Sequence, residues 1–123
     1  MTKGQAIQQF WQGFGLPAYD ENTVPDDAVF PYITYPVQTD SIGTTLFLTA
    51  SLWYKSYSWK EISEKAEQIA QAIVRLSPPA IEIDGGRLYI TKGKPFAQRM
   101  REESNDAIRR ITLNVNFEFL TEY

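Results

Sequence analysis

The sequence contains neither cysteine nor histidine. Without cysteine there is no disulfide, no thiolate nucleophile and no cysteine-ligated zinc or iron–sulfur site. Without histidine, the commonest metal ligand and general base in proteins is also missing. These absences remove most enzyme mechanisms, so we expect a protein that is not an enzyme, with no catalytic, cofactor-binding or metal-binding residues.

Long hydrophobic runs are missing as well. No stretch of about 18 apolar residues occurs, so we expect no membrane partner and no membrane span. The N-terminal MTKGQAIQQF lacks the basic and then apolar order of a secretory signal, which predicts that the protein stays where it is made. The net charge of −3 does not predict a whole-molecule field that attracts nucleic acid.

The chain has the size and composition of one globular unit. It has 123 residues, of which 43% are hydrophobic. A chain of this length buries roughly two-thirds of its unfolded surface, which supplies one core. Because no internal repeat or linker interrupts it, we predict a single domain over residues 1–123.

The first predicted helix lies near the N-terminus, over residues 5–14. Its apolar residues recur at the i, i+3, i+4, i+7 spacing of one helical face: Ile7, Phe10, Trp11 and Phe14. Thr2 is the expected N-cap, and the helix should end near Gly15.

A second helix is predicted to begin after Ser58. Ser58 and Glu61 have the spacing of a capping box. The residues that follow form an apolar stripe: Ile62, Ala66, Ile69, Ala70, Ile73 and Val74. The Ser77–Pro78–Pro79 segment should stop this helix.

Five strands are predicted from alternating or β-branched segments. They form a hairpin over 32–38 and 44–54, a second hairpin around Gly85–Gly86, and a final strand over 111–119. The segments 16–30 and 93–105 are predicted as loops. The result is an α+β fold of order α-β-β-α-β-β-β, an antiparallel sheet of about five strands with both helices packed on one face.

Short motifs that can bind ligands do not have the required spacing here. The acidic residues of the first loop lack the alternating ligands and central glycine of an EF-hand: Asp20, Glu21, Asp26 and Asp27. The glycines at 85–86 and 93 lack the frame of a phosphate-binding loop. We therefore interpret both groups as turn residues.

Two features indicate contact surfaces. Phe47 and Trp53 lie on the strand face opposite Leu46, Leu48 and Leu52, so both faces of that strand carry large apolar groups. Exposing such a ring forfeits about 1.5–3 kcal/mol, and neighbouring exposed aromatics usually mark an interface. The alternative is that the 16–30 loop covers both rings.

The second feature is a concentration of positive charge in an acidic protein. Half of the basic residues fall within 19 positions: Lys92, Lys94, Arg99, Arg101, Arg109 and Arg110. We predict a loop over 92–101 that is mobile in the monomer and becomes ordered on assembly, against an acidic neighbour or a phosphate backbone. A loop that is simply solvated is the alternative.

Several segments resemble a known family. They are the opening helix with Gly15–Leu16–Pro17–Ala18–Tyr19, the stretches 22–28 and 30–35, and Ser51–Leu52–Trp53–Tyr54 followed by Trp59–Lys60–Glu61–Ile62. Over residues 5–76 they are similar to tail terminator, or tail completion, proteins of tailed bacteriophages. The similarity lies in segment style and element order rather than in a catalytic motif.

The resemblance implies a virion component made in the bacterial host cytoplasm. Such proteins form a ring, a hexamer, on the head-proximal end of the tail tube and join tail to head. The implied partners are other copies of the chain, the tail tube protein, a head–tail connector protein and DNA passing through the ring. Phe47 and Trp53 are then expected at a subunit or tail-tube contact. A phage head-completion or neck connector protein is the alternative, and a small enzyme or binding module is a further one.

Overall fold

The computed structural model describes residues 1–76 and 80–123. It contains two helices, α1 (Lys3–Gln12) and α2 (Lys60–Val74), and six strands. The strands are β1 (Ala18–Asp20), β2 (Tyr32–Tyr35), β3 (Thr45–Lys55), β4 (Ala80–Ile83), β5 (Gly86–Met100) and β6 (Ile108–Leu120). The class is α+β, as predicted.

All six strands form one sheet in the order β1-β2-β3-β6-β5-β4. Four of the five neighbouring pairs are antiparallel, and β1 pairs with β2 in parallel. The predicted sheet of about five antiparallel strands is therefore a mixed sheet of six. The additional strand is β1, which lies inside the predicted 16–30 loop and is too short to show alternation.

The core lies between the two helices and one face of the sheet. Alternate residues of β3 and β6 point into it, with Leu48 opposite Val115 and Leu52 opposite Ile111. From α1, the Phe10 ring lies 5.9 Å from the Phe117 ring. From α2, Ile62, Ala66, Ile69 and Ile73 are buried in the same core. The prediction that both helices cover one face, including that of the last strand, is confirmed.

The two helix starts differ in how they are capped. Thr2 is the N-cap of α1 and forms a capping box with Gln5. The capping box predicted at Ser58 and Glu61 is wrong, because the N-cap of α2 is Trp59 and makes no side-chain cap bond. Instead, the Ser58 hydroxyl accepts a hydrogen bond from the Lys60 amide at 3.1 Å. The predicted stop at 77–79 lies outside the described residues.

The largest correction concerns the predicted 93–105 loop. β5 continues to Met100, so Lys92, Lys94 and Arg99 lie in a strand and Arg101 follows directly after it. The register shifts between Lys92 and Ala97, and this bulge breaks the alternation by which a strand is recognised in a sequence.

The bulge of β5 is held by side chains of β6. Asn114 donates its amide to the Pro95 carbonyl at 2.8 Å, and Asn116 donates to the Lys92 carbonyl at 3.2 Å. A Cβ on Gly93 would lie 2.7 Å from the Cβ of Asn114, so the close approach of the two strands requires glycine here. The bulged part of β5 is therefore held by hydrogen bonds within the subunit, where a mobile loop was predicted.

Candidate interaction surfaces

The sheet face opposite the helices, here called the outer face, carries a strongly exposed aromatic ring. Phe47 lies on β3 with 79% of its surface exposed, and its register partner on β6 is the polar Asn116. Beside it, Thr49 donates its hydroxyl to the Asn114 side chain at 2.8 Å. Phe47 is therefore an exposed apolar side chain whose neighbours on this face are polar and hydrogen-bonded.

Trp53 lies on the same face but is half-buried by its own chain. Its indole stacks on Tyr32 with ring centroids 6.4 Å apart, and the Arg110 guanidinium lies 4.7 Å from its centroid. The indole N–H donates to the Thr34 hydroxyl at 2.9 Å. Tyr19 extends this aromatic row, 5.9 Å from Tyr32.

The two predicted contact residues are thus on one face but not in one cluster. They are six residues apart on β3, which corresponds to about 20 Å. Trp53 is covered by Tyr32 of β2 rather than directly by the 16–30 loop, whose Tyr19 packs on Tyr32, and Phe47 remains 79% exposed.

Three tyrosines have raised pKa values: Tyr32 on the outer face, and Tyr35 and Tyr54, which are buried in the core. Desolvation raises the pKa of Tyr32, with a smaller contribution from Tyr19. Desolvation also raises the pKa values of Tyr35 and Tyr54, with smaller contributions from Asp20 and Glu61 respectively. A higher tyrosine pKa means that the neutral phenol is favoured over the phenolate in these partly desolvated positions.

The four basic residues predicted as an assembly segment are all exposed: Lys92, Lys94, Arg99 and Arg101. Lys92 lies 6.0 Å from the centroid of Phe96. The Arg99 guanidinium lies 5.0 Å from the Trp59 ring and donates weakly to the Ser63 hydroxyl at 3.5 Å. Among residues 1–76 and 80–123, none of the four basic residues forms an ion pair.

Arg109 and Arg110 have a different role from the other four basic residues. The sequence alone did not predict this difference. Arg109 lies 5.2 Å from the Trp59 ring and donates to the backbone carbonyls of Tyr57 and Asp106, at 2.9 and 2.6 Å. Arg110 lies over Trp53 and pairs with Glu102 at 3.6 Å. Both arginines therefore make their contacts within the subunit. The sequence contains no signal from which these contacts between distant segments could be predicted.

Within the described part of the chain, no three acidic residues gather into a group that could hold a metal ion. None of the described helices is long and apolar enough to cross a membrane.

Comparison with known proteins gives a likeness in structure but none in sequence. No protein-family model matches the chain, and no curated protein matches it significantly. A chain in the solved structure of the virion of a native gene transfer agent (GTA) particle is similar with a TM-score of 0.56. The two are 17% identical, and the match covers 94% of this chain and 87% of that chain. The α+β fold described above is thus shared with a chain of that virion structure.

Proposed function

We propose that this protein is a structural subunit of a phage-type virion, and specifically a tail terminator. In this role it forms a ring, a hexamer, at the head-proximal end of the tail tube and joins the tail to the head. The observation that carries the proposal is the fold shared over 94% of the chain with a component of a gene transfer agent virion. The sequence resemblance to tail terminators supports the same role.

The exposed ring of Phe47 supports a role in contact. An apolar side chain left in water gives up about 1.5–3 kcal/mol that burial would supply, a large share of the stability of a small domain. A partner that covers Phe47 recovers this free energy. We assign Phe47 to a contact with the tail tube or a neighbouring subunit, with Trp53 as a supporting residue at the other end of β3.

The remaining partners follow from the same role. A terminator ring meets the tail tube protein on one side and a head–tail connector protein on the other, and DNA passes through its centre. The protein would be made in the bacterial host cytoplasm and function in the virion. These contacts need complementary surfaces rather than a reactive centre.

Electron microscopy of the purified protein with isolated tail tubes and with DNA-filled capsids tests this function. A terminator is expected as a ring on one end of the tubes. Binding to the capsids alone would instead indicate a head-completion or neck connector protein. Absence of rings and of binding to either particle would contradict a role in the virion.

A further inference from the structure

We propose that neighbouring subunits of the ring join head to tail, the acidic end of the sheet of one copy docking on the basic β5 segment of the next. This inference rests on the proposed function, because it names the surfaces that would build the ring. It is argued from the charge distribution, the strand order and the register of the sheet.

Charge is strongly segregated along the chain. Residues 4–54 contain five acidic residues and no lysine or arginine. Residues 92–101 contain four basic residues and no acidic one. A protein with a net charge of only −3 thus carries two strongly charged segments of opposite sign. Such segments attract each other between molecules.

The fold places these two segments at opposite sides of the sheet. The acidic edge consists of β1 and the loop that returns from it to β2, with Asp20, Glu21, Asp26 and Asp27. The basic edge consists of Lys92, Lys94, Arg99 and Arg101 of β5 and its end. β1 and β5 are four strand spacings apart, or about 19 Å, so the two edges face away from each other.

Neither edge is neutralised within the subunit. The three ion pairs among the described residues are Met1–Asp84, Arg87–Glu82 and Arg110–Glu102. None of these pairs includes a residue of the acidic edge or of the basic edge. Both edges therefore keep their net charge, although Asp20 accepts hydrogen bonds from Asn22 and Arg99 lies over Trp59.

Backbone groups are also available at both edges. β4 pairs only with residues 86–89 of β5. Among the described residues, Ala97–Met100 has a strand partner on its β6 side alone, and Ala18–Asp20 has one on its β2 side alone, although the Asp20 carbonyl also accepts a hydrogen bond from the Thr23 amide at 3.0 Å. Unpaired strand edges are natural docking sites for another chain.

The register of the sheet places the acidic edge and the basic edge at the same position along the direction of the strands. One row of register partners crosses five strands: Tyr19, Thr34, Ser51, Thr112 and Gln98. Asp20 follows Tyr19 directly, and Arg99 follows Gln98 directly. A neighbour placed beside the sheet therefore brings its acidic edge to the basic edge with little displacement along the strands, and its β1 runs antiparallel to β5.

A contact between two different edges builds a ring when the rotation between neighbours closes, and the terminator role requires this closed form. Each subunit keeps one edge free after docking, so further copies add until the rotation closes. A two-fold dimer through either edge would instead oppose charges of the same sign. The outer face with Phe47 remains outside both edges and is left for the tail tube.

Charge-reversal variants test the pairing by native mass spectrometry. Lys94→Glu/Arg101→Glu reverses two of the four charges of the basic edge, and Asp26→Lys/Asp27→Lys reverses two of the four charges of the acidic edge, so each change removes the net charge of its edge. Among the described residues, these four side chains form no ion pair or cation–π contact, so both variants should fold, as circular dichroism checks. Each is expected to lose the ring. The quadruple variant, in which the two exchanged pairs again carry opposite charges, is expected to regain it.

Mixing and control variants sharpen the test. An equal mixture of the two double variants is also expected to form rings, with the two proteins alternating. Lys60→Glu/Glu64→Lys changes exposed charges of α2 outside both edges and should keep the wild-type ring.

The outcomes separate this inference from the proposed function. Rings that persist in either double variant would overturn the edge pairing while the terminator role stands. Loss of rings without recovery in the quadruple variant would also overturn it and assign the basic edge to another ligand, such as DNA. A wild-type protein that forms no ring, alone or on tail tubes, would overturn both.

Discussion

Phe47 and Trp53 lie on the same strand and the same face of the sheet, but their environments differ. Phe47 is 79% exposed among threonine and asparagine side chains. Trp53 is stacked between Tyr32 and Arg110 and donates a hydrogen bond to Thr34. The comparison shows that a large apolar residue opposite the core can either stabilise its own subunit or remain available for a partner. Mutations at the two positions should therefore affect different properties.

The largest effect on stability is expected from Trp53→Ala. The substitution removes the stacking on Tyr32, the cation–π contact and a half-buried apolar surface, at a cost of about 2–3 kcal/mol. Urea unfolding measures this loss. Phe47→Ala is the matched control, and an equal loss in both variants would remove the distinction between the two positions.

A smaller loss is expected from Thr34→Val. This change leaves the indole N–H of Trp53 without its acceptor while the side-chain volume stays almost the same. The expected destabilisation is about 1 kcal/mol, measured by urea unfolding. A double-mutant cycle with Trp53→Phe, which also lacks the donor, should show that the two effects are not additive. Full additivity would mean that the hydrogen bond contributes nothing.

Tyr32 of the aromatic row should also make the free energy of unfolding depend on pH in the alkaline range. Desolvation raises the pKa of Tyr32 in the folded protein, so the folded state retains this proton more tightly than the unfolded state does. The stabilisation is complete below the ordinary tyrosine pKa of about 10 and is lost as the pH rises through the folded-state pKa.

Tyr32→Phe isolates this contribution because other groups also titrate in the same range. The variant should lose less free energy of unfolding above about pH 10 than the wild type does. Identical pH profiles for the two proteins would contradict the assignment of the raised pKa to Tyr32.

The smallest effect on stability is expected from Phe47→Ser. Exposed positions without internal partners usually change the free energy of unfolding by less than about 0.5 kcal/mol. The same variant should bind tail tubes more weakly, because the apolar contact is lost. A clearly destabilised variant would show that Phe47 supports its own subunit, and one that binds tubes as the wild type does would show that Phe47 does not contact the tail tube.

The sequence predicts the parts of the fold in which one face is buried. The alternation from Ile111 to Phe119 and the helical spacing from Ile7 to Trp11 are confirmed, because burial of one face imposes a regular period. β1 has only three residues, and β5 contains a bulge with side chains exposed on both sides. Burial imposes no detectable period on β1 or on the part of β5 after Lys92, so the sequence predicts loops there, whereas the start of β5 is predicted as a strand.

The candidate surfaces, like the fold, could be predicted from the sequence only in part. The exposure of Phe47 follows from the alternation of β3, since the core uses the other face. The packing of Trp53 depends on Tyr32 and Arg110, which are brought to it by strand pairing between distant segments. The two charged segments are visible in the sequence, but their placement at opposite sides of one sheet requires the strand order.

The growth of tail tubes tests the central claim most directly. Tail tube protein would be polymerised with and without this protein, and the length of the tubes would be measured by electron microscopy. The account predicts that elongation stops and that each arrested tube carries a single ring at one end. Tubes that keep growing to the same length, with no added density at their ends, would contradict it.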